Sequence, residues 1–221
     1  MDREGSIFNG REPDEHRWDF DFGRLDSVAG RLWYRPTPTW ELQVSTGHLT
    51  HPERLESGNI TRSTASVSWT RTAGMDFSAV SAAYGRNDTD HGDRSAVFIE
   101  GTHHVGLSSL YGRFEAVQTE TALLGDHGQA GSIAGLKQPV LAFTAGASRD
   151  VLRVSGLDGG FGADLTWYRA PDSLRPAYGH HPFGVRVFFR LRPPAGSRML
   201  NMRMSQPMPG HSDVPMNHPM P

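Results

Sequence analysis

The densest group of potential metal ligands in this chain lies in its last segment, Pro193 to Pro221. It holds Met199, Met202, Met204, Met208, Met216 and Met220, six of the eight methionines, with His211 and His218 among them. Thioether sulfur is a soft donor suited to Cu(I), and imidazole also takes Cu(II). Pro207, Pro209, Pro215, Pro219 and Gly210 break helix and strand alike, so the segment reads as a disordered Met/His/Pro-rich tail that could wrap a copper ion without a folded site. Chance composition of such a tail is the plainer alternative.

Other candidates are weaker. His103-His104 and His180-His181 are adjacent pairs; strand neighbours face opposite sides, so neither pair chelates alone. Asp19, Asp21 and Asp26 carry carboxylates but lack the spacing of a calcium loop. Arg186, Arg190 and Arg192 repeat at strand spacing, with Arg62 and Arg113 as additions from other strands and Glu41, Glu115 and Asp164 as carboxylate counterparts. On one side of a sheet these eight residues form either a charge ladder that favours anions or a set of ion pairs. No nucleophile elbow, phosphate loop, zinc helix motif or dinucleotide fingerprint occurs, so no catalytic residue is assigned and the chain is read as a non-enzyme.

The elements that must position these side chains are strands. Phe183, Val185, Val187, Phe189 and Leu191 alternate with Gly184, Arg186, Phe188, Arg190 and Arg192, the clearest period-two run. Nine looser runs precede it: Glu4 to Arg11, Ser27 to Arg35, Trp40 to Leu49, Ile60 to Arg71, Asp76 to Arg86, Ser95 to Val105, Leu110 to Gln118, Val140 to Ser148 and Gly160 to Tyr168. In most of them one side is apolar and the other polar. Between them lie the polar loops Glu12 to Asp26, Thr50 to Asn59, Asn87 to Asp93 and Thr119 to Pro139, a tighter return Arg149 to Gly159, and Ala170 to His180. The remaining turns, at Pro36 to Thr39, Ala73-Gly74 and Gly106 to Ser108, are short.

Totals narrow the class. The 221 residues, with 25 Gly and 15 Pro, suit one large all-β domain. A net charge of −2 supplies no basic field for nucleic acid. The absence of Cys removes disulfides and thiolate sites. No run approaches the roughly 18 apolar residues of a membrane helix; a membrane β-barrel, whose strands carry only alternate apolar residues, stays open. Met1 to Ser6 has no signal-peptide pattern, so either the chain is not exported or its natural N-terminus lies upstream.

Alternation does not by itself say whether the apolar side meets a protein core or lipid. In a soluble barrel or sandwich Trp40, Trp69 and Trp167 are buried and the arginines solvated. Three features favour lipid: about ten strands of membrane-crossing length, aromatics near strand ends, and connections that alternate long and short as outer-membrane barrels do. The expected fold is an all-β, antiparallel up-and-down transmembrane β-barrel of residues 1–192. That polarity sends the last strand down from an external loop and leaves the tail, residues 193–221, in the periplasm.

A resemblance accompanies this pattern. Gly5-Ser6-Ile7-Phe8-Asn9-Gly10-Arg11-Glu12-Pro13-Asp14-Glu15-His16-Arg17, Leu25-Asp26-Ser27, Gly30-Arg31-Leu32, Pro36-Thr37-Pro38, Leu42-Gln43-Val44-Ser45, Pro52-Glu53-Arg54-Leu55-Glu56, Thr61-Arg62-Ser63-Thr64-Ala65-Ser66 and Tyr178-Gly179-His180-His181-Pro182 resemble the C-terminal half of a poorly characterised family of bacterial outer-membrane β-barrel proteins, over most of residues 5 to 192. Family members are longer, with a signal peptide and further strands upstream, so the resemblance implies a partial form of a larger barrel. It also implies a porin-like protein from copper-handling gene neighbourhoods, in contact with outer-membrane lipid and its assembly machinery. The rival readings are a soluble β-barrel or sandwich that binds a ligand or metal, and an outer-membrane hydrolase.

The tail makes its own prediction. A peptide of residues 193–221, titrated with Cu(I) against a competing chelator, is expected to hold the ion more tightly than the same peptide with every Met changed to Leu. Equal affinity of the two peptides rejects the tail as a copper ligand.

Overall fold

The computed structural model describes residues 1–12, 23–52, 58–90, 92–120 and 137–192. Ten strands follow in chain order: β1 (Asp2–Phe8), β2 (Ser27–Thr37), β3 (Trp40–Thr50), β4 (Asn59–Ala73), β5 (Asp76–Thr89), β6 (Gly92–Val105), β7 (Ser108–Glu120), β8 (Lys137–Val154), β9 (Leu157–Arg169) and β10 (Phe183–Arg192). They form a single antiparallel sheet in which each strand pairs only with its sequence neighbours, from β1 at one edge to β10 at the other. All ten expected strands are present. The sheet is open: among the described residues no ladder joins β10 to β1, so the last strand ends the sheet rather than closing it.

Three connections differ from expectation. The charged segment Asn87 to Asp93 is mostly strand, because β5 runs to Thr89 and β6 starts at Gly92; Arg62 donates from Nε to Asn87 Oδ1 (2.9 Å) and Arg86 pairs with Asp93 (2.9 Å), so these polar side chains find cross-strand partners. Arg149 to Gly159 likewise shrinks to the two-residue turn Ser155-Gly156. The segment Ala170 to His180 carries a 3₁₀ turn, Asp172–Leu174, and a single helical turn, Arg175–Tyr178.

The turns at one end of the sheet are uniformly tight. Pro38-Thr39, Gly74-Met75, Gly106-Leu107 and Ser155-Gly156 are all that separate β2 from β3, β4 from β5, β6 from β7 and β8 from β9. Gly74 (φ 64°) and Gly106 (φ 59°) hold positive φ at the first central position, as type II′ turns require, and Ser155 (φ 50°) with Gly156 (φ 78°) holds it at both, as type I′ requires. At the other end the β1–β2, β3–β4, β7–β8 and β9–β10 connections are long, and only β5–β6 is short.

Register fixes the two faces. One hydrogen-bonded row runs Tyr34, Leu42, Val67, Ala82, Ile99, Phe114, Phe143, Trp167, Phe183, and no charged residue interrupts it across nine strands. The next row on the opposite face runs Glu41, Ser68, Ser81, Glu100, Arg113, Thr144, Thr166, Gly184. The apolar face is the uncovered one: Ile99 and Phe143 are each 50 % exposed and Val187 75 %. Among the described residues the buried apolar side chains are only Trp33, Ile60, Ala142, Ala170 and Leu174, while Ser27, His104, Ser109, Ser148, Asp150 and Asp164 are buried polar ones. A soluble core distributes these classes the other way round.

The turn geometry carries a direct test. A Cβ at Gly156 would meet no atom within 4 Å, so Gly156→Ala adds only the left-handed backbone penalty of about 1–2 kcal/mol. Its urea-unfolding midpoint is expected to fall, while Ser155→Asn, which suits a type I′ turn, raises it. An unchanged midpoint for both variants rejects the turn assignment.

Candidate functional site

The residues singled out for a charge ladder share one face. Glu41 (β3), Arg62 (β4), Arg113 and Glu115 (β7), Asp164 (β9), and Arg186, Arg190 and Arg192 (β10) all fall on the polar rows. They enter that face as members of ion pairs. Arg186 donates from Nε (3.0 Å) and Nη2 (2.6 Å) to Asp164 Oδ2, and the Tyr111 hydroxyl donates to the same oxygen at 2.9 Å. Arg113 donates from Nε to Glu115 (2.9 Å) and from Nη1 to Glu100 (2.8 Å), with its guanidinium 4.3 Å from the Phe98 ring centroid. Asp150 receives Arg190 on one oxygen (3.1 Å) and Arg192 on the other (2.5 Å). Arg35 joins Glu41 (2.6 Å) and Asp2, whereas Arg62 is held by Asn87 rather than by an acid.

Glycines make this packing feasible. A Cβ at Gly146 would overlap the Tyr111 ring and crowd Asp164, one at Gly162 would overlap the Phe188 ring, and one at Gly160 would crowd Asp150. Tyr111 on β7 therefore reaches Asp164 on β9 across Gly146 of β8, and Arg190 on β10 reaches Asp150 on β8 across Gly160 of β9. Side chains from strands two apart meet on the polar face, which requires the sheet to curl toward it. Consistent with that curl, Ser81, Glu100, Tyr111, Arg113, Thr144, Asp164 and Arg186, drawn from all six strands β5 to β10, line one cavity of about 630 Å³. A second, of about 780 Å³, runs along β1 to β4 past Glu4, Arg31, Glu41, Gln43 and Arg62.

The charged and hydroxyl partners that the sequence reading missed are Asp2, Arg35, Glu100, Tyr111 and Asp150. Glu100 and Tyr111 sat on polar positions of recognised strands, so their face was visible and their contacts were not. Asp150 fell in a stretch read as a return. With them the face holds, in hydrogen-bonded pairs, Arg35, Arg62, Arg113, Arg186, Arg190 and Arg192 with Asp2, Glu41, Asn87, Glu100, Glu115, Asp150 and Asp164. Pairing of opposite charges leaves little uncompensated charge on this face.

The histidine pairs divide as strand neighbours do. His103 takes the apolar face and shares a hydrogen bond with Ser78 (2.8 Å). His104 takes the other, buried, stacked on Phe77 (5.3 Å) and hydrogen-bonded to Ser109 (2.9 Å). The His104–Ser109 contact ties together the β6–β7 hairpin and is closed to a substrate, since both residues are buried. His181 stacks on Trp167 (5.3 Å) at the long-loop end. Asp26 accepts from Ser27 and lies 3.7 Å from Arg11, while Asp19 and Asp21 lie outside the described residues. Met199, Met202, Met204, Met208, His211, Met216, His218 and Met220 also lie outside them. Among the described residues no three His, Asp or Glu side chains gather as a metal site. Compared with protein-family models, curated proteins and solved structures, the chain matches none.

The pairs should differ in weight. The Asp164 side chain is 4 % exposed and holds three donors, whereas Glu100 is 46 % exposed and shares Arg113 with Glu115. Asp164→Asn and Gly146→Ala, which pushes Tyr111 off that carboxylate, are expected to lower the unfolding midpoint clearly, and Glu100→Gln to leave it nearly unchanged. Equal effects from the three variants would contradict the network.

Proposed function

We propose that this chain is an outer-membrane β-barrel, porin-like, whose apolar face meets lipid and whose charged face lines a path for small solutes. The observation that carries the reading is the uncovered apolar face. A single-layer sheet with Ile99, Phe143, Leu165, Val185 and Val187 each at least half exposed has apolar area far beyond what a soluble monomer leaves to water. Trp40 and Trp167, at 43 % and 40 % exposure, lack the burial that a soluble sandwich would give them. Strands of 10 to 18 residues from β2 to β10 exceed or match the roughly 9–11 residues of a tilted crossing. Four two-residue turns at one end and mostly long connections at the other match the periplasmic and external ends of such barrels.

In this reading the lumen is lined by the paired charges, which favours passage of small polar solutes over selection of anions. In the same reading the Met/His segment 193–221 belongs to the periplasmic side, where its thioether and imidazole groups would meet copper entering or leaving the path. The rest of the chain needs no cofactor.

The membrane reading separates cleanly from the soluble one at Ile99. In lipid, Ile99→Arg places a charge on the acyl chains and lowers the free energy of unfolding by about 2–4 kcal/mol near mid-bilayer. In water the same exposed substitution changes it by less than about 0.5 kcal/mol. Ser81→Arg on the polar face serves as control and is expected to fold normally. Urea titration in lipid vesicles checks this, together with fractionation and release of a small entrapped dye. Recovery as a soluble monomer without detergent would overturn the proposal.

A further inference from the structure

The two edges of the open sheet carry charged side chains of opposite sign on the same face. On β10, Arg190 and Arg192 share the single carboxylate of Asp150, one positive charge in excess, and Arg192 Nε is buried without a hydrogen-bond partner. On β1, Asp2 pairs with the Arg35 guanidinium of β2, which also binds Glu41 of β3. Glu4 adds a second carboxylate, to which none of the described residues forms an ion pair. An orphaned buried donor on one edge and the carboxylates of Asp2 and Glu4 on the other are complementary.

Topology permits the two edges to meet. Ten strands in alternating direction leave β1 and β10 antiparallel to each other. The register row through Asp2 runs Trp33, Gln43, Ser66, Ala83, Phe98, Glu115, Ala142, Tyr168 and arrives level with Pro182, whose carbonyl accepts from the Tyr168 N–H at 2.9 Å. Laid flat, β1 would therefore begin where β10 begins and run past it. Rolling the sheet with tilted strands staggers the edges against each other, and a shift from position 182 to 192 brings all of β1 alongside β10. Only an even shift keeps Asp2, Glu4 and Ser6 on the same face as Arg190 and Arg192.

We propose that the sheet closes by antiparallel pairing of β1 with β10 in the register that sets Asp2 opposite Arg192 and Glu4 opposite Arg190. This rests on the barrel reading above and adds that the ten strands suffice for closure. The same register places Ile7 opposite Val187 on the apolar face, where both are exposed, at 65 % and 75 %. The seam then satisfies the strand-edge N–H and C=O groups, which lipid would leave unpaired at a cost of several kcal/mol each.

The chain has no Cys, so paired cysteines report on the seam alone. Full-length Ile7→Cys/Val187→Cys protein, folded into phosphatidylcholine vesicles and oxidised, is expected to give a reducible cross-linked monomer. Pairing Ile7→Cys with Val185→Cys or with Phe189→Cys slips the register by two residues and takes the Cα atoms beyond the roughly 7 Å that a disulfide spans, so both are expected to cross-link poorly. The single-Cys variants control for recovery, since both sites are exposed. A disulfide-linked dimer as the main product, cross-linking favoured in a slipped pair, or no cross-link in protein that sediments with the vesicles would each overturn the seam. Sedimentation is scored in the same samples: a chain that stays on vesicles uncross-linked loses the seam and keeps the membrane reading, and a chain that cross-links in buffer without lipid does the reverse.

Discussion

A sheet one layer thick must find cover for its apolar face outside itself, and the other features of this chain follow from how that requirement is met. Period-two alternation places Leu42, Val67, Ile99, Phe114, Phe143 and Trp167 on one side, and no described helix or second sheet packs against them. At roughly 25 cal/mol per Å² of apolar surface, leaving such a face in water forfeits the main driving force for folding. A lipid environment removes that penalty and at the same time demands that the ladder leave few unpaired backbone groups. The uninterrupted pairing from β1 to β10, with two-residue turns holding the hairpins, meets that demand everywhere except at the two edges.

The polar face answers a different constraint. Arginines confined to one side of a sheet would repel one another; Arg35, Arg113, Arg186, Arg190 and Arg192 are instead each held by a carboxylate, and Arg62 by an amide. Placing the pairs across strands spreads the charge around the face rather than along one strand. The consequence is a polar surface in which opposite charges compensate one another.

The ten strands were legible because alternation is a local property: Trp40 to Leu49 or Phe183 to Arg192 reveals its two faces without reference to any other segment. The shared face of Arg62, Arg113, Glu115, Asp164 and Arg186 followed from the same periodicity. Strand ends were less legible, since Asn87, Asp88 and Arg149 to Asp150 are polar residues that propensity assigns to loops, and only their cross-strand partners keep them in the ladder. The partnerships themselves were not legible. That Arg190 and Arg192 converge on Asp150, about 40 residues away in sequence, depends on a register that no single strand encodes.

Register is where the glycines and the ion pairs act together. Tight turns fix the alignment within the β2–β3, β4–β5, β6–β7 and β8–β9 hairpins, but nothing so local aligns β7 with β8 or β9 with β10 across their long connections. There the contacts that skip a strand take over: Tyr111 to Asp164 over Gly146 locks β7, β8 and β9, and Arg190 to Asp150 over Gly160 locks β8, β9 and β10. A slip of one residue at either place would turn the charged member to the apolar face, and a slip of two on β8 would set Thr144 or Ser148 where Gly146 leaves room for Tyr111. Glycine in a strand interior is usually a weakness. Here it is what allows second-neighbour strands to touch, and the same touching bends the sheet toward its charged face.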